Sequence, residues 1–509
     1  MSDYVFGSYI LEILTAGMYQ DSRIIFREYI QNACDAVDSA VACGVLRRRE
    51  DGEIRIEIDS DGRNITIEDN GTGIRAEEFV RVMMSIADSE KRQSENKGFR
   101  GIGKLCGLAY CRQAVFSAKC RGEGVVSRLV CDAKIMRELI GEDAKNQYKA
   151  DAILNLVNEF GSEETEDIEG HFFRVELRGI NEENTDLLDF ERVREYLSFA
   201  APLPYDNGFV PYGMRIHEYA EKLGEKIDEY NIFLNDEQLF KGYTRTFMTG
   251  TKGSDEIFDL EFHNFKDINN NLVAWMWFGM SHFRGAIDAK CPMRGIRLRK
   301  GNIQIGDEDT LQPFFGEARG IHYFIGELFC VSKNLIPNSR RDYFNETPQR
   351  IAFEAQIRNR FKPLSNLYHD GSKINNAFHS IDDAEKKREA FAERDRAGRF
   401  ASHEDRQTAQ EELQKAQAKA EEATKTIEKF KTRGSESAVS IIKHIEDSRQ
   451  INTPQVQEIH DTPKTDPQPQ PKFTQKEQRL LTKIFGIIKA ELTPAESQRL
   501  IHIIQDRLK

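Results

Sequence analysis

Residues 22–42 place apolar side chains three and four positions apart, the spacing of one helix face. The rhythm then changes. Ile54, Ile56 and Ile58 alternate with polar residues, Asp61-Gly62 punctuates the chain, and Ile65 and Ile67 resume the alternation. That is the pattern of a β-hairpin with one buried face. Apolar runs at 114–116, 125–131 and 172–177 predict three more strands. Helix and strand interleaved in this way predict a mixed α+β sandwich.

Near residue 380 the pattern shifts to charge and alanine. Ala409, Leu413, Ala416, Ala420, Ala423, Ile427 and Phe430 step by alternating fours and threes, the seam of a coiled coil. A single solvated helix with an alanine-rich side satisfies the same spacing. Residues 452–472 are rich in proline and glutamine, which predicts an extended linker. Two amphipathic helices are expected beyond it, separated by a Thr493 N-cap, Pro494 and Glu496. Leu480, Leu481, Ile484, Ile488, Ile501, Ile504 and Leu508 would form their apolar side. A hairpin this small cannot bury that surface alone, so a second copy or another partner is expected.

Composition narrows the function classes. A chain of 509 residues is too long for one hydrophobic core, and more than one folded unit is expected. The net charge of -12 argues against a surface built to coat nucleic acid, while leaving room for a local basic groove. No run of 18 apolar residues is present and the start lacks the features of a secretory signal, so a cytoplasmic protein without membrane spans is expected. The eight cysteines show neither CxxC nor Cys–His ligand spacing, which predicts reduced, mostly buried thiols.

Three separated motifs carry the candidate chemistry. In RIIFREYIQNACDAVDSA, Glu28, Asn32 and Asp35 lie at i, i+4 and i+7, sharing one helix side, while Ile25, Tyr29, Ala33 and Ala36 turn to the core. An ordinary solvated face would give the same spacing, but a mid-helix asparagine is a poor helix former. In IEDNGTGI, Asp69 ends a strand just before Gly71 and Gly73. A β-turn explains this, and so does a carboxylate that accepts from an exocyclic amine beside a closely approaching backbone. In KGFRGIGKLCGLAY, Gly98, Gly101 and Gly103 precede an apolar helix, an arrangement that aims N–H groups at phosphate oxygens. Its spacing is neither a P-loop nor a Rossmann fingerprint.

Taken in order, E-x-x-x-N-x-x-D, D-x-G-x-G and the glycine-rich segment resemble the GHKL ATPases: gyrase, the heat-shock-protein-90 chaperones, histidine kinases and MutL. The run at Glu28–Ala36 looks most like the chaperone and MutL branches. The resemblance implies an ATP-binding α/β sandwich of the Bergerat type over residues 1–182 and an α/β middle domain over 183–380. A charged coiled-coil region (381–450), the linker (451–473) and a C-terminal helical pair (474–509) would follow. By the same resemblance Asp69 accepts the adenine amine, and Gly71 and Gly73 let the base lie close. Asn32 holds Mg²⁺, and Glu28 orients and deprotonates the attacking water. Gly98, Gly101, Gly103 and Lys104 cradle the phosphates, Asp35 supports the helix and the water network near the base, and residues 84–104 form a mobile lid. His171 stands where the family has a threonine, so it or a water would supply the missing donor.

Two later segments bear on the branch. In MRGIRLRKGNIQIGD a hairpin is expected at Gly301, with Arg297 and Arg299 on a solvated basic face; a substrate or nucleic-acid contact is the alternative. GELFCVSKNLIPNSRRDYF resembles the chaperone middle-domain loop that carries a catalytic arginine, which assigns that role to Arg341, with Arg340 its near neighbour. MutL, gyrase and the microrchidia ATPases use a lysine there. The implied protein is an ATPase clamp closing around a protein client and dimerising through its C-terminal helices. A DNA-engaging clamp and a nucleotide-sensing scaffold with little turnover are the rivals.

Overall fold

The computed structural model describes residues 11–13, 21–85, 103–140, 149–250 and 253–452. Nearly all of them lie in one compact unit, Met1–Arg449. The predicted lid centre, the linker and the C-terminal helical pair lie outside the described residues.

Helix α1 (Ile24–Ala42) lies against a sheet that begins with β1 (Glu53–Asp59) and β2 (Asn64–Asp69). The hairpin pairs Ile56 with Ile67 and Ile58 with Ile65, so every isoleucine of the alternating pattern points to the same side. The left-handed turn residue is Arg63 (φ 55°), not Gly62, whose N–H instead meets Asp59 Oδ1 at 2.8 Å. Helix α2 (Ala76–Met84), β3 (Cys111–Lys119), β4 (Val125–Cys131), α3 (Ala133–Ile140), α4 (Ala150–Val157), β5 (Asn158–Glu164) and β6 (Phe172–Ile180) follow. Ile25, Phe26, Tyr29, Ile30, Ala33 and Val37 of α1 are buried over Ile54, Ile56, Ile65 and Ile67. Each large apolar side chain so buried contributes roughly 1.5–3 kcal/mol.

Helices α5 (Phe190–Ala200) and α6 (Val210–Lys222) lead onward, with Asp189 capping α5 through the Arg192 N–H at 3.1 Å. The chain then returns. Strands β7 (Asn231–Leu234) and β8 (Glu237–Gln238) complete an eight-stranded sheet of order β5-β4-β3-β6-β2-β1-β7-β8. β7 runs parallel to β1, and Ile232 and Leu234 enter the first core.

A hairpin of β9 (Thr246–Met248) and β10 (Ser254–Glu256) precedes a second sheet. That sheet comprises β11 (Asp259–Lys266), β12 (Leu272–Met280), β13 (Gly295–Lys300), β14 (Ile303–Gln304) and β15 (Ile325–Cys330), in the order β11-β12-β15-β13-β14. Gly301 (φ 56°) and Asn302 (φ 58°) turn β13 into β14, both left-handed as a tight hairpin requires. Helix α7 (Pro348–Arg396) covers one side of this sheet with Phe353, Ile357, Phe361 and Tyr368. Phe199, Phe209, Ile216 and Ala220 from α5, α6 and their connection cover the other, against Trp275, Trp277 and Phe329.

That double cover overturns the expected basic face. Arg297 is 4% and Arg299 0% exposed. Arg299 pairs with Glu327 and donates to the carbonyls of Asn302 (2.9 Å) and Phe199 (2.7 Å). Arg297 meets Gln304 Oε1 at 3.0 Å and lies over the Phe199 ring. Lys241 Nζ, 3.1 Å from Glu327, and the Trp277 indole N–H complete the buried cluster. Burial by itself raises the Glu327 pKa, but Arg299 and Lys241 outweigh it and hold the carboxyl at about 2, against an ordinary 4.5. The unfolded chain therefore takes up this proton first. The stability contributed by the cluster is complete above pH 4.5 and is lost as the pH falls toward 2. Urea midpoints followed by tryptophan signals across that window should decline more steeply in wild type than in a Glu327→Gln variant; parallel curves would count against an ionised Glu327.

The heptad seam packs within the chain. Helix α8 (His403–Arg433) folds back along α7, burying Ala416, Ala423 and Ile427, with Arg394–Asp405 and Asp395–Arg406 pairs at the bend. Helix α9 (Glu436–Asn452) then lays Ala438, Ile441 and Ile442 onto the second core. Composition changes near residue 380, yet α7 runs through that point unbroken. Among the described residues no helix is long and apolar enough to cross a membrane. All eight cysteines are free, and Cys34, Cys106, Cys111, Cys131 and Cys330 are buried.

Candidate functional site

The side of α1 turned toward the end of β2 carries the expected constellation. Glu28 is 6% and Asp35 3% exposed, and Asn32 is half-buried. Asp69 closes β2 at 4% exposure and its Oδ1 accepts the Gly71 N–H at 2.9 Å, an Asx-type turn. Gly71 has no room for a side chain: a Cβ would lie 2.5 Å from that of Ala36 on α1. Gly73 has φ 63°, and a Cβ there would lie 1.9 Å from the Lys119 carbonyl oxygen. The close approach that demands glycine at this point is to the end of β3. His171 reaches the same bend, where Nδ1–H donates to the Gly71 carbonyl at 2.8 Å. It steadies the turn that follows Asp69.

Asn32, Asp35, Asp69 and Gly73 line a cavity of about 250 Å³. Asp69, Thr72, Asn32 and Asp35 supply its polar groups, and Ile74, Met83, Phe173 and Val175 its apolar walls. A flat, partly polar ligand suits that lining. Two further cavities, of about 270 and 430 Å³, open beside Arg341.

The described end of the glycine-rich segment meets α1. A Cβ on Gly103 would lie 3.3 Å from Glu28 Oε2 and 3.5 Å from Asn32 Nδ2, so the backbone passes directly over the acid–amide pair. Tyr29 is buried in the core, and its hydroxyl donates to the Lys104 carbonyl (3.2 Å) and accepts the Gly107 N–H (3.1 Å). A tyrosine where phenylalanine would fill the core equally well was the available signal. Lys104 Nζ donates to the Val82 and Ser85 carbonyls at 2.6 Å each and so caps α2. Burial lowers its pKa to about 8. Gly98 and Gly101 lie outside the described residues.

The loop that follows β15 contributes Arg341. Its Nε stands 3.0 Å from Glu28 Oε1, with both side chains buried. Arg341 has φ 55°, a left-handed conformation uncommon for a side chain of this size, and its carbonyl accepts the Gly306 N–H at 2.8 Å. Arg340 is exposed; its carbonyl accepts from Arg27 Nη2 at 3.3 Å. Buried Arg27, 3.8 Å from Glu28 Oε1, was not singled out by spacing, since an arginine on a helix usually signals a solvated side.

Comparison with known proteins agrees with this geometry. Residues 21–160 match the family described as histidine kinase-, DNA gyrase B-, and HSP90-like ATPase. Residues 21–160 are thus similar to the GHKL-type, HSP90-like ATPase domain. Among individual relatives, the chaperone protein HtpG of Methylibium petroleiphilum is 35% identical over 103 residues, 19% of this chain and 15% of that protein. The HtpG proteins of Salinispora tropica and Salinispora arenicola are 36% and 34% identical over 86 residues, 16% of this chain and 13% of each of theirs. The chain thus matches about one seventh of the length of these relatives.

Proposed function

We propose that the chain is an ATP-hydrolysing clamp of the heat-shock-protein-90 type, acting on a protein client. The observation that carries this reading is the Glu28–Arg341 contact at 3.0 Å, which joins a helix acid of the first domain to a loop arginine of the second beside the Asp69 cavity. Adenine would enter that cavity with its amine on Asp69, and the phosphates would extend toward Gly103. Glu28 would take the proton of the attacking water, and Arg341 would leave Glu28 to meet the γ-phosphate. The nucleotide would thus exchange one ionic contact across the domains for another, which is how its state couples to shape.

The amide of Asn32, facing both the cavity and the Gly103 backbone, suits a hard cation bound mainly through phosphate oxygens and water. Mg²⁺ held there would neutralise triphosphate charge. Dimerisation through residues 474–509 and a cytoplasmic location belong to the same reading.

Calorimetry with magnesium-ATP tests it. Wild type should bind, and Asp69→Asn should bind about 10- to 100-fold more weakly, since a charged hydrogen bond contributes roughly 1.5–3 kcal/mol. Unchanged affinity in the variant, with wild-type circular dichroism, would remove Asp69 from the site.

A further inference from the structure

A second cluster of ligating groups lies outside the nucleotide cavity, where β10, the turn after β12 and α9 meet. His282 is 3% exposed, and its Nδ1 is 2.8 Å from Asp255 Oδ1. Asp255, equally buried, also accepts backbone N–H groups from Glu256 (2.8 Å), His282 (3.3 Å) and Arg284 (3.1 Å). Burial opposes its ionisation, but the imidazole and the N–H groups outweigh that and hold its carboxyl below the ordinary value. An ionised carboxylate only accepts, so Nδ1 of His282 carries the hydrogen and Nε2 presents a lone pair.

That lone pair faces His444 Nδ1 at 2.8 Å. His444 comes from α9, 162 positions later, and its ring stacks on Phe258 with centroids 4.3 Å apart and planes 11° apart. Glu256 completes the group: one ligand atom from each of Glu256, His282 and His444 lies within 4.8 Å of the others. Glu256 Oε2 is held by Arg245 at 2.9 Å. Burial and the neighbouring His282 keep His444 on the neutral side, with Glu256 opposing.

Two imidazole nitrogens and a carboxylate, with a second carboxylate fixing the tautomer of one imidazole, form a donor set suited to zinc and its divalent neighbours. Zinc–nitrogen bonds of roughly 2.0–2.1 Å place tetrahedral ligand atoms about 3.3 Å apart, within the span this cluster occupies. We propose that Glu256, His282 and His444 bind a divalent transition metal of the zinc class, fastening α9 to the second domain. On binding, the His444 proton moves from Nδ1 to Nε2, which frees the Nδ1 lone pair for the ion; water fills the fourth position. Without metal, a His444 N–H to His282 Nε2 hydrogen bond holds the same pair. The metal adds a cross-link between segments far apart in sequence and so decides how firmly the last helix before the linker is seated.

The test uses the full chain, stripped with chelator and dialysed against micromolar zinc. About one zinc per chain should be retained by elemental analysis, and the thermal midpoint should rise by roughly a few degrees. His444→Ala should lose both effects. Glu256→Gln, at a half-buried position that tolerates the change, should weaken retention at least about tenfold and guards against a misfolded His444 variant. Absence of stoichiometric zinc in wild type, or retention equal to wild type in both variants, would overturn the site and leave an Asp255–His282–His444 hydrogen-bond relay.

Discussion

On the proposed reading, replacing Glu28 by alanine should lower steady-state ATP turnover by about 10²- to 10⁴-fold and leave ATP affinity within a few-fold of wild type. The proposed reading assigns Glu28 to the chemical step and not to base recognition. It sits beside Gly103 and Asn32, while Asp69 stands at the end of β2. A general base acts in the transition state, so its loss falls on kcat; loss of a binding residue falls on affinity. Arg341, in contact with Glu28 at 3.0 Å, should share the effect. An arginine at the γ-phosphate contributes on the order of 10³-fold or more, and the double variant should be no worse than about tenfold below the poorer single one, because the two act on one step. Turnover by Glu28→Ala equal to wild type would mean that the chain binds nucleotide without this residue taking part in hydrolysis.

Replacing Glu327 by glutamine costs the second domain about 3–5 kcal/mol, the usual penalty for leaving buried charge unpaired. Glutamine preserves the shape, so the loss isolates charge. Arg299, fully buried, would keep its positive charge with no anion beside it, while Lys241, whose pKa burial already lowers to about 7, would give up its proton. The consequence reaches further than stability. Arg299 also holds the Phe199 carbonyl near the end of α5, the helix that leads out of the first domain. Urea unfolding followed by near-ultraviolet dichroism of Trp275 and Trp277 measures the cost. A loss below about 1 kcal/mol would indicate that Glu327 is protonated in the folded protein, or that the cluster rearranges at little expense.

Much of the first domain could be read from local pattern. Alternating isoleucines specify the β1–β2 hairpin because only one register buries all five, and helical spacing alone puts Glu28, Asn32 and Asp35 on one side of α1. Strands β3, β4 and β6 are apolar runs whose type and place follow from length and neighbours. By contrast β7 and β8 join the first sheet from beyond two helices. No local pattern encodes a pairing of Glu53–Ile56 with Asn231–Leu234, since its energy lies in hydrogen bonds between distant segments. The alanine seam was legible as a seam but not as to its partner, because small residues every three and four positions fit any helix. Here the neighbour is α7 of the same chain.

The motif order, the acid–amide helix side, the carboxylate ahead of two glycines and the arginine loop are legible without any fold, because each is a short-range matter of residue type and spacing. Only the tertiary structure decided that Arg341, and not Arg340, meets Glu28, and that Arg297 and Arg299 are interior. It also decided that Lys104 caps a helix and that His282 and His444 share one cluster. Each of those outcomes depends on which surfaces cover one another, and burial, which sets the energy of every charge involved, is a property of the assembled layers and not of any stretch of chain.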